Sequence, residues 1–209
     1  MNLLIFGASG GTGRLLVRQA LAQNDAVTAF VRTPAKLGIA HARVTVMVGD
    51  VADPTAVARA VHGQDAVLSA LGAVTPLRRD PILVAGVRHI VEAMTQAGVQ
   101  RLIYQSFLGV GDSRRVAGFF IRYIAPLLLP HPTADHELKE RVITESGLAW
   151  TIVRPPKLTN GRLTGRYRIG EHIRARSPMP LLSRADVADA MLRQLTDPAH
   201  VWKVVRVMH

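Results

Sequence analysis

A glycine-rich turn near the start of the chain limits its possible folds more than any other feature. Residues 7–13 read GASGGTG, after an apolar run at 3–6 and before a segment of helical spacing at 12–23. Between a strand and a helix, G-x-x-G-x-x-G spacing lets the backbone approach a diphosphate, and the helix N-terminus offers it unpaired N–H groups. The pattern predicts a dinucleotide site, and a glycine turn without a ligand is the alternative. The residues predicted to line the turn are Gly7, Ser9, Gly10, Gly11, Thr12 and Gly13.

The apolar segments of the chain are of two alternating kinds. Short, continuously apolar runs are typical of buried strands, and they lie at 3–6, 26–31, 44–48, 66–70, 101–105, 149–153 and 201–207. Helical spacing or helix-starting residues predict helices at 12–23, 55–61, 80–96, 134–145 and 183–195. Strands bounded by helices and apolar on both faces predict an α/β fold with a doubly wound parallel sheet.

The sequence shows no repeat, low-complexity tract or linker that would divide the chain. Its 209 residues fit one domain, and we predict a single Rossmann-type NAD(P)-binding domain over residues 1–209. Residues 107–131 and 155–183 are predicted as insertions that form the cleft, with 158–176 a loop that holds at most a short hairpin. The apolar segment 107–131 is expected to be a lid or pocket wall; a core helix, an oligomer interface and a membrane-surface contact are the alternatives.

Composition excludes several classes of function. There is no cysteine, so disulfides, thiolate nucleophiles and Cys-ligated metals are excluded. The eight histidines are scattered, and no metal site is predicted. The formal net charge of +11 predicts attraction to polyanions, but no nucleic-acid-binding motif accompanies it, so nucleic acid is not expected as a partner.

No segment is predicted to cross a membrane. The longest apolar stretch, 116–129, contains Arg122 and Pro126 and is shorter than the roughly 20 apolar residues that a bilayer requires. The N-terminal apolar run reaches Gly7 too early for a signal peptide. A cytoplasmic location and a monomer or homodimer are expected.

The end of the second strand indicates which nicotinamide cofactor the turn would bind. Enzymes that use NAD carry Asp or Glu about 20 residues beyond the turn, where the carboxylate binds the ribose 2′-hydroxyl. This chain has Arg32 there, with Lys36 close by. A guanidinium binds a 2′-phosphate that a carboxylate would repel, so NADP(H) is predicted rather than NAD(H). The alternative is that Arg32 is a solvated loop cation.

Other predicted site residues follow the third, fourth and fifth strands, because ligands of such sheets lie beyond the carboxyl ends of the strands. Asp50 and Val51 follow the third strand, and the Asp50 carboxylate is placed to accept from the adenine amino group; a turn residue is an equal alternative. Residues 70–72, which are Ala70, Leu71 and Gly72, are expected beneath the riboses. Ser106 ends the fifth strand and is expected near the nicotinamide.

The chemistry of a conventional alcohol dehydrogenase is absent. None of Tyr104, Tyr123 and Tyr167 is followed four residues later by lysine, so the Tyr-x-x-x-Lys pair that moves a proton in those enzymes is missing. The chain also lacks the G-x-S-x-G elbow of serine hydrolases. Polar side chains are expected around the cleft, each with surface solvation as its alternative: His131, Asp135, His136 and Lys157.

Taken together, several segments resemble the atypical short-chain reductases. The matching segments are GASGGTG at 7–13, VRTP at 31–34, GDV at 49–51, SALG at 69–72, ESGL at 145–148, RPP at 154–156, LTGRY at 163–167 and SRADV at 183–187. The resemblance is to the biliverdin reductase B/flavin reductase family, with the NmrA-like NADP-binding proteins as broader relatives. It extends over nearly the whole chain.

The resemblance implies a Rossmann domain that binds NADPH and passes hydride to a planar conjugated acceptor, such as a flavin (FMN), a quinone or a linear tetrapyrrole. It implies that Gly7, Gly10, Thr12 and Gly13 form the cofactor turn, that Arg32 contacts the 2′-phosphate and that Asp50 contacts adenine. A non-catalytic NADP(H)-sensing regulator of the NmrA-like kind is the alternative.

For catalysis, the resemblance implies that Ser106 is the active-site serine and that His136 matches a histidine of the preceding helix. The family histidine after the paired prolines is replaced by Lys157. We therefore predict Ser106, His136 and Lys157 as the catalytic residues. The presence of lysine instead of histidine at position 157 argues against biliverdin as the acceptor more than against a flavin or a quinone. A conjugated acceptor spreads charge over its rings, so hydride transfer needs little acid catalysis.

Overall fold

A computed structural model describes residues 1–72, 80–111, 113 and 130–209 of the chain. The strands in these ranges are β1 (Asn2–Phe6), β2 (Ala26–Val31), β3 (Val44–Val48), β4 (Ala66–Ser69), β5 (Arg101–Gln105), β6 (Ala149–Arg154), β7 (Lys157–Thr159), β8 (Arg168–Gly170), β9 (Leu181–Ser183) and β10 (Lys203–Met208). The α-helices there are α1 (Gly11–Ala22), α2 (Pro54–Val61), α3 (Pro81–Ala97), α4 (Pro130–Thr144) and α5 (Arg184–Arg193). Short 3₁₀ helices lie at Pro34–Lys36 and Pro198–His200.

The central sheet confirms the predicted doubly wound α/β fold. Its eight strands lie in the order β3-β2-β1-β4-β5-β6-β10-β8. All neighbours are parallel except β8, which pairs antiparallel with β10. The chain winds outward from β1 in one direction and from β4 in the other. The carboxyl ends of β1 and β4 therefore flank the crevice in which such sheets bind ligands.

The strand β1 shows why the strands of this chain are apolar on both faces. Leu3 and Ile5 pack into a core with residues of α1 and α5, whereas Leu4 and Phe6 pack into a second core with residues of α2 and α3. All four side chains are fully buried. The sheet is thus covered on both sides, as a parallel sheet requires.

Local sequence fixes the starts of α2 and α3 and the end of α3. The Asp53 carboxylate accepts from the N–H groups of Thr55 and Ala56 at the start of α2, and Asp80 accepts from the N–H of Leu83 at the start of α3. Each of these helices has proline at its first position, which suits a site that needs no N–H donor. Gly98 ends α3 with a φ of 71°, as predicted.

Two predictions about the second half of the chain are wrong. Helix α4 begins at Pro130 rather than at residue 134, because prolines are tolerated in a first helical turn. The region 158–176 contains no hairpin: β7 pairs in parallel with β9, and β8 pairs with β10. Both pairings join segments far apart in sequence, which a local pattern cannot reveal.

Most of the segment 107–131, predicted as a lid or pocket wall, lies outside the described residues, and so does 73–79. In the ranges that are described, no helix is long and apolar enough to span a membrane. The single-domain assignment with cleft-forming insertions stays a prediction.

Candidate cofactor and active site

A cavity of about 380 Å³ opens at the carboxyl ends of β1 to β4. Its lining includes predicted site residues from four separate segments: Gly7, Ser9, Gly10, Arg32, Lys36, Asp50, Val51, Ala70, Leu71 and Gly72. The cavity is completed by residues that were not among the predicted site residues: Phe30, Val31, Gly49, Asp80, Ile82 and Leu83. Gly11, Thr12 and Gly13 lie next to it in the first turn of α1.

The glycine turn is tight enough to exclude side chains at two of its positions. Gly7 has a φ of 73°, and a side-chain carbon added there would stand 2.7 Å from the carbonyl oxygen of Ala70. The same carbon on Gly13 would stand 2.0 Å from the carbonyl oxygen of Gly7. The Gly10 N–H donates to the Gly7 carbonyl at 2.9 Å and closes the turn. Glycine is therefore required for the packing of β1 against α1 and β4, before any ligand is considered.

The N-terminus of α1 is chemically open. Its N-cap, Gly10, provides no side-chain acceptor, and the first turn carries no acidic residue. The backbone bond from the Arg14 N–H to the Gly10 carbonyl, at 3.0 Å, is the first that closes a helical turn. The amides of Gly11, Thr12 and Gly13 precede it and point their donors out of the helix. A diphosphate fits this arrangement, since its oxygens would accept these N–H groups at the positive end of the helix.

Cations surround the end of the cavity formed by β2 and the loop after it. Arg32 and Lys36 both line the cavity with exposed side chains. Arg14, on the first turn of α1, donates from Nη1 to the Lys36 carbonyl at 3.2 Å and holds that loop against the helix. A phosphate monoester on an adenosine ribose would meet positive charge here. Neither Arg32 nor Lys36 offers the carboxylate that binds a free 2′-hydroxyl in enzymes that use NAD.

Asp50 and Val51 line the cavity, and both also make hydrogen bonds that fix the local structure. One Asp50 oxygen, Oδ1, accepts from the Ala52 N–H at 3.0 Å, which is the turn role considered as the alternative. The Val51 carbonyl lies 2.8 Å from His89 Nδ1, and a side chain on Gly86 would strike Val51. The floor of the cavity is thus fixed by α3, which carries His89 and Gly86.

At the end of β5, Ser106 and His136 form the core of a candidate active site. Ser106 is buried, and its Oγ lies 3.4 Å from His136 Nδ1, a long separation for a hydrogen bond. The Phe107 ring meets the imidazole edge-on, with 4.8 Å between ring centroids. Burial, and secondarily the charge of Lys139, lowers the pKa of His136 to about 3. His136 is therefore a neutral imidazole at physiological pH.

Lys139 is a functional candidate that the sequence reasoning missed. It lies one helical turn beyond His136 and is only 2% exposed. Burial lowers the pKa of its ammonium, although the carboxylates of Asp135, Asp80 and Glu140 act in the opposite direction. Asp135 stands four residues before Lys139, so the spacing of the Tyr-x-x-x-Lys pair recurs with aspartate in the place of tyrosine. A search that started from the lysines would have found it.

The other predicted polar residues are placed as follows. Asp135 is buried, and its Oδ2 accepts from the Asp80 N–H at 2.7 Å, which links α4 to the start of α3. Lys157 is exposed on β7, opposite Leu181 of β9, and within the described ranges it makes no hydrogen bond or ion pair with Ser106 or His136. The side chain of His131 lies outside the described set. Within that set, no group of His, Asp and Glu could hold a metal ion.

The sheet order, the glycine turn and the open helix end define a dinucleotide-binding α/β protein. A family model for NAD(P)H-binding proteins matches residues 7–198, and the chain belongs to this family. The resemblance to atypical short-chain reductases is confirmed, and the predicted NADP(H) cofactor is confirmed at the level of a family that binds NAD(P)H.

Named relatives of the chain include reductases. It is 29% identical over 203 residues to the (4-alkanoyl-5-oxo-2,5-dihydrofuran-3-yl)methyl phosphate reductase of Streptomyces griseus and 25% identical over 206 residues to the NAD(P)H azoreductase of Xenophilus azovorans. Each match covers 95% of this chain and 64% of the relative, and the chain spans 31% to 64% of several curated relatives. The structure of ChuY, an anaerobillin reductase from Escherichia coli O157:H7, superposes with a TM-score of 0.78 at 25% identity, covering 99% of this chain and 96% of that one.

Proposed function

We propose that the chain is an NADPH-dependent reductase that delivers hydride to a planar conjugated acceptor, such as a flavin, a quinone or a linear tetrapyrrole. The observation that carries the proposal is the cavity at the switch point of the sheet, where the glycine turn, Arg32 and Lys36 share one space. Reductases of an azo compound and of anaerobillin among its relatives support a planar acceptor.

The cofactor would be held by four groups of this chain. The N–H groups of Gly11 to Gly13 bind the diphosphate, and the side chains of Arg32 and Lys36 bind the 2′-phosphate. The Asp50 carboxylate keeps Oδ2 for the adenine amino group, since its Oδ1 is engaged with Ala52. Residues 70–72 lie beneath the ribose, where Gly72 has open space in place of a side chain. The bound cofactor supplies the hydride.

Ser106 and His136 would then act on the acceptor. The Ser106 hydroxyl donates to a carbonyl or ring nitrogen of the acceptor, and the neutral His136 imidazole orients that hydroxyl from 3.4 Å away. The buried ammonium of Lys139, one turn along α4, favours the negative charge that the acceptor gains. Lys157 offers an exposed ammonium to an anionic acceptor such as FMN. The proton that completes reduction comes from water.

The test is rapid mixing of NADPH with FMN, riboflavin, a benzoquinone, a naphthoquinone and biliverdin, followed by the nicotinamide absorbance. We expect oxidation of NADPH by at least one acceptor, and a rate reduced roughly tenfold to hundredfold in Ser106→Ala, which removes one donor to the developing charge. Ser177→Ala, at an exposed serine, is the control and should match the wild type.

A non-catalytic NADP(H) sensor is the second candidate. The long Ser106–His136 separation of 3.4 Å favours it, because the imidazole then orients the serine hydroxyl only weakly toward an acceptor. Equal affinity for NADP⁺ and NADPH, with no turnover across the acceptor panel, would establish the sensor and exclude the reductase.

A further inference from the structure

The side chain of Arg184 lies directly on the glycine turn. A side-chain carbon added to Gly11 would stand 2.8 Å from Arg184 Cδ and Nε, and 3.7 Å from Cζ. Gly11 begins α1 and Arg184 begins α5, so two residues far apart in sequence place a guanidinium beside the open end of α1. A residue with a side chain at position 11 would displace the arginine.

Hydrogen bonds hold Arg184 in this position. Its Nη1 donates to Asn160 Oδ1 at 2.6 Å, in the segment between β7 and β8. On the other side, Gln19 Nε2 of α1 donates to the Ala185 carbonyl at 3.0 Å and fixes the first turn of α5 against α1. Asn160 therefore positions the guanidinium itself, and Gln19 positions the helical turn that carries it.

The segment that carries Asn160 is itself fixed by Asp186. This fully buried carboxylate accepts from the N–H groups of Thr164 and Gly165 at 2.8 and 2.9 Å, and from the hydroxyls of Thr164 and Ser183. Burial would raise the pKa of Asp186, but these hydrogen bonds outweigh it and hold the pKa below its usual range. The SRADV segment thus builds a support for Arg184, a role that the sequence reasoning did not assign.

The charge of Arg184 has no anionic partner in the described part of the chain. Its hydrogen-bond acceptor there, Asn160, is a neutral amide, and no carboxylate pairs with it. The arginine also stands beside the positive N-terminal end of α1, whose first turn carries no acidic residue and whose dipole disfavours a cation. Positive charge is therefore concentrated at a point that an anionic ligand would neutralise.

We propose that Arg184 is a further cofactor-binding residue, whose guanidinium binds the diphosphate held by the N–H groups of α1. This inference rests on the cofactor-binding part of the proposed function. A planar guanidinium pairs its N–H donors with two phosphate oxygens at once, which a point charge cannot do. Arg184 differs in role from Arg32 and Lys36, which meet the 2′-phosphate at the adenosine end.

The proposal predicts opposite effects of one substitution on the free and the bound protein. Arg184→Ala removes a cation from beside the positive N-terminal end of α1, so the thermal midpoint of the ligand-free protein should stay the same or rise. The increase in that midpoint caused by saturating NADP⁺ should become smaller, because the affinity falls. A purely structural arginine would instead lower the midpoint of the free protein.

Calorimetric titration with NADP⁺ and with 2′-phospho-ADP-ribose, which has the diphosphate but no nicotinamide, tests the assignment. We expect Arg184→Ala to raise the Kd of both ligands by a similar factor of about tenfold or more. Arg184→Lys should give an intermediate Kd, since lysine keeps the positive charge but lacks the planar pair of N–H donors. Arg162→Ala removes an exposed cation from the same region and is the matched control, with a Kd within about twofold of the wild type.

Several results would overturn the proposal. These are an unchanged Kd in Arg184→Ala, an equal loss in Arg162→Ala, or a loss for NADP⁺ that 2′-phospho-ADP-ribose does not share. The last result would place Arg184 at the nicotinamide instead. A wild-type protein that binds neither ligand would remove the proposed function and this inference together, whereas binding without turnover would remove the reductase alone. If Arg184→Ala does not fold, the Arg184→Lys titration decides.

Discussion

The guanidinium of Arg154 and the carboxylate of Glu140 form a buried two-point ion pair between β6 and α4. Arg154 Nε donates to Oε1 at 3.1 Å, and Nη2 donates to Oε2 at 2.6 Å. Both side chains are less than a tenth exposed. Glu140 lies one turn beyond His136 on α4, so this pair fixes the helix that carries the candidate active-site imidazole above the end of β5.

Glu140→Gln should destabilise the protein by about 3 kcal/mol, because it removes the charge opposite a buried guanidinium. Urea unfolding followed by circular dichroism measures the loss. Glu145→Gln, at an exposed acid just after α4, should change the free energy of unfolding by less than about 0.5 kcal/mol. Equal, small effects of both substitutions would show that the pair does not anchor α4.

Gly13→Ala should reverse the usual order of helix propensity. Alanine is favoured over glycine within helices by about 1 kcal/mol, but here its methyl carbon would stand 2.0 Å from the Gly7 carbonyl oxygen. We expect a loss of at least about 2 kcal/mol, together with weaker NADPH binding, since the backbone of the turn must shift. Gly170→Ala is the control, because an added carbon there meets Ile173 at an ordinary 3.5 Å. A Gly13→Ala protein as stable as the wild type contradicts this packing.

Arg32→Ala should raise the Kd for NADPH by about tenfold or more and leave the Kd for NADH nearly unchanged. The arginine is expected to contact a phosphate that only NADPH carries, and such charged hydrogen bonds contribute about 1.5–3 kcal/mol. Calorimetric titration of both cofactors measures the ratio. Arg59→Ala, an exposed arginine on α2, should leave both values unchanged. Equal weakening of NADH and NADPH by Arg32→Ala would assign the residue to another part of the cofactor.

The low pKa of His136 predicts that stability falls in acid. The unfolded chain takes up a proton near the ordinary histidine pKa of about 6.5, but the folded protein does not until about pH 3. Between these values the unfolded state binds more protons, so the free energy of unfolding rises with pH across this window. His136→Gln should remove this contribution, and unfolding curves of both proteins at pH 4.5 and pH 7 measure the difference. The prediction fails if the two proteins lose stability equally on acidification.

Much of the fold could be predicted because its signals are local. The bounds of β2, β3 and β5 were predicted to the residue, since each is a short apolar run between turn residues. The glycine turn and Arg32 were likewise found from their positions relative to adjacent strands. The cavity then brings these segments together, which follows from the order of a parallel sheet rather than from any one segment.

Features that depend on contacts between distant residues could not be predicted from the sequence. Nothing near Glu140 or Lys139 marks them as buried, because their environment comes from β6 and the start of α3. The contact of Arg184 with Gly11 depends on the packing of α5 against α1. The parallel pairing of β7 with β9 joins segments more than 20 residues apart. Each of these required the tertiary arrangement of elements that local patterns describe one at a time.

Because the start of α1 is uncapped, the stability of this protein depends on the concentration of the dinucleotide that occupies it. A helix that has Gly10 in place of a capping Ser or Asp forgoes only about a few tenths of a kcal/mol of intrinsic stability. Occupancy of that end by a dinucleotide at a hundredfold excess over Kd would add about 2.7 kcal/mol. A cell depleted of the coenzyme would then hold a larger unfolded fraction of the same chain, and its turnover by proteases would report the metabolic state.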